Sequence, residues 1–393
     1  MTSSVPTELA VSGLVEAAKD ATGLSDFGPW PWRDGLEVLV ETYERAALTE
    51  AGLRSTVGRL KGLLETRLRV ARAWAEHPEI GDVAIERPIF VVSLPRTGTS
   101  TLFNLMGVDR SNRPLLFWEG VFPDPLPTPP PEGEPDPRMT MLASWLERAK
   151  AKNPEFTAIH DTRADGPEEC VGLTNLALEG AQNGIEVLME PYASWFAARD
   201  QTSAYRFHKA MLQMLSWQRP GERWLLKSPA HLWGLDALLK VYPDAQLVMT
   251  HRDPESIVAS YCSMMEALMS IRREVDTPEL GERTLESLGT MLDRAMTVRD
   301  RVGEERFTDI SYDAIVASPV EAVRQAYATM GLPLDAATID AMADFAASHA
   351  KDRHGGHDYS LDRYALTRKE IDERFAEYRN RFLSGPGIVS THG

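Results

Sequence analysis

Apolar and polar positions follow two different patterns along this chain. Over the first 86 residues, apolar side chains recur every three or four positions, as in Leu36, Leu39, Val40 and Tyr43, and this spacing predicts helices. The pattern changes at Ile89–Leu94, a short run that is rich in β-branched residues and apolar on both faces. Such a run is typical of a parallel strand that is covered on both sides.

Two later segments have the same character and predict two more strands, Arg223–Lys227 and Gln246–Thr250. Helical patterns follow both of them, at Ala230–Val241 and from Pro254 onward. Strands and helices thus alternate with short connections, which favours a parallel sheet with right-handed crossovers. We therefore predict an α/β fold with a P-loop-type central parallel sheet that is flanked by helices, and with helical extensions at both ends.

The same pattern divides the chain into three regions. We expect residues 1–86 to form a helical N-terminal extension packed on the core, residues 87–335 to form the α/β core, and residues 336–393 to form a helical C-terminal segment. Within the core, eight of the sixteen residues from 122 to 137 are proline. This stretch should therefore be an extended loop.

Composition excludes several classes of protein. The 393 residues include 58 acidic and 42 basic side chains, a net charge of −16, so nucleic acids should repel the chain. Its two cysteines, Cys170 and Cys262, lie far apart, which argues against a disulfide framework or a structural zinc site. The sequence contains no recognisable secretory signal or transmembrane segment. We therefore expect a cytoplasmic protein.

A loop rich in small residues, Pro95–Thr101, lies between the first predicted strand and a helical segment. Successive backbone amides of such a loop, together with the helix N-terminus, form a cradle for an anion. In the nucleoside-triphosphate version of this loop, a lysine and a hydroxyl residue follow the second glycine. With Gly98 in the place of that glycine, Ser100 supplies the hydroxyl but Thr99 stands where the lysine belongs, although Arg96 lies just upstream. An ordinary kinase or ATPase is therefore disfavoured.

A second group of candidate anion-binding residues follows the third predicted strand. Arg252 comes at the end of that strand, at the edge of the sheet where open α/β folds bind their ligands. If Pro254 begins the next helix, Ser256 and Ser260 share one of its faces. An arginine and a hydroxyl in this arrangement could hold a second phosphate. Asp253 beside the helix N-terminus equally fits plain stabilisation of the helix dipole.

Together, the two clusters resemble those of the sulfotransferases that use 3′-phosphoadenosine 5′-phosphosulfate (PAPS), in particular the broad bacterial group with a Pro-Arg-Thr-Gly-Thr loop. Pro95–Thr101 is similar to the 5′-phosphosulfate loop of that family. Arg252 with Ser260, eight residues later, is similar to its 3′-phosphate pair. Lys227–His231 resembles the lysine and histidine segment that follows the middle strand, and the likeness covers about residues 87–335.

The resemblance implies that PAPS is the sulfuryl donor and that the acceptor is a hydroxyl of a small molecule, a lipid or a glycan. It also implies that Tyr312 contacts the adenine, as the tyrosine of the family's Tyr-Glu-Asp segment does. The implied cofactor-binding residues are Arg96, Thr97, Gly98, Thr99, Ser100, Thr101, Arg252, Ser260 and Tyr312.

In-line transfer of a sulfuryl group depends on positioning and on charge stabilisation, and it requires no metal. Arg96 and Lys227 would stabilise charge on the sulfuryl oxygens and on the bridging oxygen that leaves. Two residues compete for the role of base. Glu119, 23 residues after Arg96, lies where some branches of the family place a catalytic glutamate. His231 matches a catalytic histidine of the cytosolic branch, but its distance from Lys227 is two positions greater than in the Lys-x-His spacing of that branch. It also lies in the first turn of a predicted helix, whose dipole lowers its basicity.

Two other functions remain open, a P-loop kinase or other phosphotransferase and a non-catalytic nucleotide-binding protein. The Arg-Lys-Gly segment of the cytosolic sulfotransferases has no counterpart here, and His354–His357, with its Gly355-Gly356 pair, is either a substitute for it or a simple turn. His160 and Asp161 could bind a metal together with His208, although their spacing matches no metal-binding pattern. The sequence does not determine whether the protein forms a homo-oligomer.

Overall fold

The structure, a computed structural model, describes residues 9–131, 133–152, 163–349 and 360–384. Its helices are, in chain order, α1 (Val11–Thr22), α2 (Arg33–Arg45), α3 (Glu50–Glu76), α4 (Thr99–Met106), α5 (Phe117–Val121), α6 (Pro137–Lys152), α7 (Val171–Leu176), α8 (Tyr192–Ala198), α9 (Thr202–Gln218), α10 (Leu235–Val241), α11 (Pro254–Ser270), α12 (Thr277–Val302), α13 (Tyr312–Ala317), α14 (Pro319–Met330), α15 (Ala336–Ser348), α16 (Arg368–Arg374) and α17 (Ala376–Phe382). Short 3-10 helices occur at Pro78–Asp82, Gln182–Gly184, Glu186–Leu188, Pro229–Gly234, Glu304–Arg306 and Asp362–Tyr364.

The chain divides into two units, each assembled from separate stretches of sequence. The first unit comprises Met1–Ile85, Leu115–Pro220 and Leu268–Glu274, and the second comprises Glu86–Pro114, Gly221–Ala267 and Val275–Gly393. All strands of the sheet belong to the second unit.

The sheet is parallel throughout, with the strand order β2-β3-β1-β4-β5. Its strands are β1 (Ile89–Val91), β2 (Asn112–Pro114), β3 (Arg223–Lys227), β4 (Gln246–His251) and β5 (Phe307–Ser311). Strands β1, β3 and β4 confirm the three predicted strands, whereas β2 and β5 were not predicted. Because β1 lies between β3 and β4, the loops that follow these three strands meet at one edge of the sheet.

Helices cover both faces of the sheet. Side chains alternate along a strand, so Ile89 and Val91 point to one face and Phe90 points to the other. Ile89 and Val91 pack with Leu102 and Phe103 of α4 in a core that also includes residues of α13, α14 and α15. On the opposite face, the ring of Phe90 packs against His231 and Tyr242 at centroid distances of 5.1 and 5.2 Å. The predicted α/β fold with a central parallel sheet is confirmed.

The segment after β3 differs in detail from the prediction of one continuous helix. Ser228 caps its start, since its hydroxyl oxygen accepts a hydrogen bond from the Ala230 amide at 3.3 Å. The first turns form the 3-10 helix Pro229–Gly234, and α10 begins only at Leu235. Gly234 separates the two parts because its φ of −125° is not helical.

The first unit is helical among its described residues. Arg67 of α3 is buried and ties two other segments together: it donates hydrogen bonds to the carbonyl oxygens of Leu176, at 2.8 Å, and of Trp30, at 2.5 Å. The described part of the proline-rich stretch contains no helix or strand before α6 begins at Pro137. None of the described helices combines the length and the apolar character that are needed to span a bilayer.

Candidate active site

The loop between β1 and α4 is fixed to the end of β4 by hydroxyl groups. The backbone amide of Thr250 donates to the Ser93 hydroxyl oxygen at 2.6 Å, and the hydroxyls of Thr250 and Thr97 share a hydrogen bond of 2.6 Å. Thr97 also donates to the Leu94 carbonyl at 2.7 Å. Because Thr97 is fully buried and makes both of these hydrogen bonds, its side chain supports the shape of the loop.

Gly98 ends the loop and caps the N-terminus of α4. Its φ of 83° lies in the left-handed region that favours glycine. A Cβ atom at this position would lie 3.1 Å from the ring of Tyr312. Thr99 follows as a buried residue, while Ser100 is exposed at the start of the helix. The loop thus joins β1 to the N-terminus of α4 through a glycine with a positive φ, the strand–loop–helix arrangement that the sequence predicts.

Lys227, the last residue of β3, contributes a buried ammonium group to this cradle. Its Nζ donates to the Ser100 hydroxyl oxygen at 3.2 Å and lies 5.4 Å from the ring centroid of Phe103. Lys227 pairs with Val91 in the sheet register, so its side chain emerges beside the start of the loop. The positive charge that the loop itself lacks at Thr99 is therefore supplied by the neighbouring strand.

The loop and the second predicted cluster contact each other directly. Arg96 donates from Nε to the Ser260 hydroxyl oxygen at 2.9 Å, and Arg252 donates from Nη1 to the Arg96 carbonyl oxygen at 2.8 Å. The Arg252 guanidinium also lies over the ring of Tyr312, 4.1 Å from its centroid. Residues that are about 160 positions apart in sequence are thus brought together at the edge of the sheet.

The charge balance at this edge favours an anion. Among the described residues, neither Arg96 nor Arg252 forms an ion pair with a carboxylate. The acidic residues beside them are paired elsewhere: Asp253 with Arg379 at 2.6 Å, and Glu255 with an arginine of α16 at 2.8 Å. The two arginines are therefore available to a negatively charged ligand.

His231, one of the two candidate bases, lies in the 3-10 helix that follows β3. Its ring is buried and meets Phe90 edge to face. Phe90 points to the sheet face opposite the α4 core, whereas Lys227 reaches Ser100 of α4. The structure therefore packs His231 and Lys227 against different faces of the sheet.

Glu119, the other candidate base, belongs to the first unit. It is buried in α5, where one carboxylate oxygen accepts a hydrogen bond from the Leu116 amide at 3.0 Å. The other oxygen forms an ion pair with Arg219 at 2.9 Å. Glu119 is thus held by a hydrogen bond and an ion pair. The remaining predicted site residues all belong to the second unit.

Comparison with known protein families gives a match over the α/β region. A model described as the sulfotransferase family matches residues 88–336 of the chain. The chain belongs to the sulfotransferase family. The matched residues coincide closely with residues 87–335, over which the sequence resembles this family.

Two solved sulfotransferases share the fold over nearly the whole chain. The crystal structure of STF1 from Mycobacterium tuberculosis H37Rv is 33% identical, with a TM-score of 0.82, over 95% of this chain and 100% of that one. STF9 from Mycobacterium avium is 31% identical, with a TM-score of 0.87, over 95% and 97% of the two chains. The chain is also 23% identical over 316 residues, 76% of each protein, to the omega-hydroxy-beta-dihydromenaquinone-9 sulfotransferase Stf3 of Mycobacterium bovis.

The part of this sulfotransferase that the structure describes contains no group of three or more histidine, cysteine, aspartate and glutamate side chains that could hold a metal ion. His208, a candidate ligand, is buried in α9, and burial lowers its pKa to about 3. His160 and Asp161 lie outside the described residues, as does His354–His357.

Sequence reasoning missed the residues that hold the site of this sulfotransferase in place. Ser93 and Thr250 join the loop to β4, and no local pattern marks either residue as a partner of the other. Tyr378 contacts His251 through its hydroxyl, at 3.1 Å from Nδ1. The only available signal was that Thr250 and His251 immediately precede Arg252 on a predicted strand.

Proposed function

We propose that this sulfotransferase uses PAPS as its donor and transfers the sulfuryl group to a hydroxyl of a lipid-like small molecule. The observation that carries the proposal is the pair of hydrogen bonds from Arg252 to the Arg96 carbonyl and from Arg96 to Ser260. They join an anion cradle to a second arginine–hydroxyl pair. A donor with a 5′-phosphosulfate and a 3′-phosphate has two anionic groups to match these two clusters.

The roles follow from the positions of the charged groups. The amides from Gly98 to Thr101 would bind the 5′-phosphosulfate, and Arg252 with Ser260 would bind the 3′-phosphate. Transfer breaks the bond between the sulfur and the bridging oxygen and forms a bond from sulfur to the acceptor oxygen. Lys227 and Arg96 would stabilise the charge that develops on the sulfuryl group and on the departing phosphate oxygen.

Tyr312 contacts two parts of the proposed nucleotide site. Its ring lies beneath the Arg252 guanidinium and beside Gly98. These contacts support a role in holding Arg252 in place, in addition to the predicted contact with the adenine. A planar guanidinium over an aromatic face loses little freedom when it binds a phosphate.

The acceptor hydroxyl loses a proton, and Glu119 and His231 are the two candidates for its removal. The contact of His231 with Phe90, on the sheet face opposite the α4 core, supports a packing role for that histidine. Glu119 is a buried carboxylate that Leu116 and Arg219 hold in one orientation. A fixed carboxylate can accept a proton from a hydroxyl that is brought to it.

A lipid-like acceptor is supported by the Mycobacterium bovis relative, whose name specifies a hydroxylated dihydromenaquinone.

Calorimetric binding of 3′,5′-adenosine bisphosphate, with 5′-AMP and magnesium-ATP as controls, tests the donor assignment. We expect the bisphosphate to bind at least tenfold more tightly than 5′-AMP, and Arg252→Ala to abolish that preference. Tighter binding of magnesium-ATP would instead support a phosphotransferase. Binding of the bisphosphate without transfer from PAPS to any hydroxylated lipid would support a non-catalytic nucleotide-binding protein.

A further inference from the structure

Helices α16 and α17 lie against the turn that carries Arg252, and the proposed chemistry gives them no role. We call the segment Arg368–Phe382 the C-terminal clamp. Its Tyr378 hydroxyl lies 3.1 Å from Nδ1 of His251, and its Phe382 ring stacks on the His251 imidazole at a centroid distance of 4.2 Å. The residue before Arg252 is thus held by α17.

The Tyr378 hydroxyl also lies near the backbone of Arg252 itself. Burial raises the pKa of Tyr378 above the usual tyrosine value, and the Arg252 backbone only partly offsets this rise, so the group stays a neutral hydroxyl. The Arg252 side chain extends to the Arg96 carbonyl and the Tyr312 ring. The side chain of Arg252 and the residue that precedes it are therefore held by different parts of the chain.

Two carboxylates lie within three residues after Arg252, and both form ion pairs with the clamp. Asp253 forms an ion pair with Arg379 at 2.6 Å, and Glu255 forms one with Arg368 at 2.8 Å. Without these partners, two negative charges would stand at the N-terminus of α11, next to the arginine that is proposed to bind a phosphate. Like charges at that distance weaken anion binding.

We propose that the C-terminal clamp positions the nucleotide site and admits the 3′-phosphate by neutralising Asp253 and Glu255. Arg379 is then a positioning residue that acts through Asp253. It need not touch the nucleotide. The inference deepens the proposed function and rests on it, because it concerns the same Arg252 site.

The test compares Arg379→Ala, Asp253→Asn and the double variant in calorimetric titrations with 3′,5′-adenosine bisphosphate and with 5′-AMP. We expect Arg379→Ala to bind the bisphosphate about tenfold more weakly and to bind 5′-AMP within twofold of the wild type. Asparagine can still cap α11 through the contact that Asp253 makes with the Glu255 amide, at 2.9 Å. Asp253→Asn should therefore bind the bisphosphate as tightly as the wild type or more tightly, and the double variant should return to within about threefold of it.

Arg363→Ala is the matched control. Arg363 precedes the clamp and forms an ion pair with Glu266, which lies on α11 about three turns beyond the N-terminus that Asp253 precedes. We expect this variant to bind both nucleotides like the wild type. An equal loss in Arg363→Ala, or an equal loss of 5′-AMP and bisphosphate affinity in Arg379→Ala, would overturn the inference.

The remaining outcomes separate this inference from the proposed donor. If the wild type shows no preference for the bisphosphate, the donor assignment fails. If the wild type has the preference and Arg379→Ala keeps it, only the clamp is refuted. Should Arg379→Ala fail to fold, Asp253→Asn still decides, because weaker bisphosphate binding in that variant contradicts a repulsive role for the carboxylate.

Discussion

Lys227, at the end of β3, donates a hydrogen bond to Ser100 in the first turn of α4, with 3.2 Å between Nζ and Oγ. In nucleoside-triphosphate loops the corresponding charge comes from a lysine of the loop itself. Here Thr99 occupies that position, and the ammonium is delivered from the adjacent strand, which pairs directly with β1. The position of the Lys227 ammonium relative to the loop is therefore determined by the pairing of β3 with β1.

Lys227→Met should lower kcat by about 10²–10³, because it removes one charged donor from the transferring group while keeping the length of the side chain. Its affinity for 3′,5′-adenosine bisphosphate, which lacks the sulfuryl group, should change less than about tenfold. Steady-state kinetics and calorimetry measure the two effects. Lys240→Met, at an exposed ion pair on α10, is the control. A kcat within threefold of the wild type would contradict the role of Lys227.

Gly98→Ala should impair nucleotide binding through Tyr312. The new Cβ would meet the Tyr312 ring at 3.1 Å and would displace the support of Arg252, in addition to the strain of a positive φ. Gly331→Ala is a close control, because Gly331 has a φ of 65° and no atom lies within 4 Å of the place that its new methyl group would take. Thermal unfolding should show a similar loss, about 1 kcal/mol, in both variants. Only Gly98→Ala should lose affinity for the bisphosphate by about tenfold or more.

The strands that could be predicted from sequence are those whose pattern is local. Each of these strands contains a continuous apolar run, Ile89–Val91, Trp224–Leu226 or Leu247–Met249, because helices cover both faces of the sheet. The cradle could be predicted for the same reason, since it joins such a strand directly to a helix. That Arg252 lies near the cradle could be predicted, because parallel strands end at the same edge of a sheet, but the individual hydrogen bonds could not.

The strands that were missed depend on distant partners. Strand β5 contains the charged residue Asp309, which is paired at 2.7 Å with the ring of His251 on β4, 58 residues earlier. Strand β2 spans only Asn112–Pro114, and Asn112 is anchored by Tyr327, 215 residues later. No window of local sequence contains these contacts, so propensity and periodicity could not reveal either strand.

Substitutions of the two candidate bases should have different effects. Glu119→Gln keeps an oxygen for the Leu116 amide but loses the proton acceptor, so kcat should fall by about 10²–10⁴ with little change in bisphosphate affinity. His231→Gln removes the ring that packs on Phe90, so it should lower thermal stability and keep kcat within about tenfold. Kinetics with PAPS and a hydroxylated lipid, together with thermal unfolding, separate the two. A large kcat loss in His231→Gln alone would transfer the role of base to the histidine.

Asp309 links β5 to the buried guanidinium of Arg299 and to the His251 ring. Its Oδ1 lies 2.8 Å from Nη1 of Arg299 and 2.7 Å from Nε2 of His251. Burial alone would raise the pKa of Asp309, but the hydrogen bonds from Arg299 and His251 outweigh it and lower the pKa to about 2. A carboxyl whose pKa is depressed by folding adds stability above its unfolded pKa of about 3.9. That stability is lost as the pH falls through about 2.

Asp309→Asn should therefore destabilise the protein at pH 7 and change its acid profile. Removing the carboxylate leaves the Arg299 guanidinium buried with Glu304 as its remaining acidic partner, a loss of about 3 kcal/mol. Between pH 4 and pH 2 the wild type should lose the contribution of Asp309, whereas the variant has none to lose, so the two melting temperatures should converge. Asp293→Asn, at an exposed ion pair with Arg374, should leave both the stability and the pH profile nearly unchanged. A constant difference between wild type and Asp309→Asn across this range would show that the carboxylate is not the group that titrates.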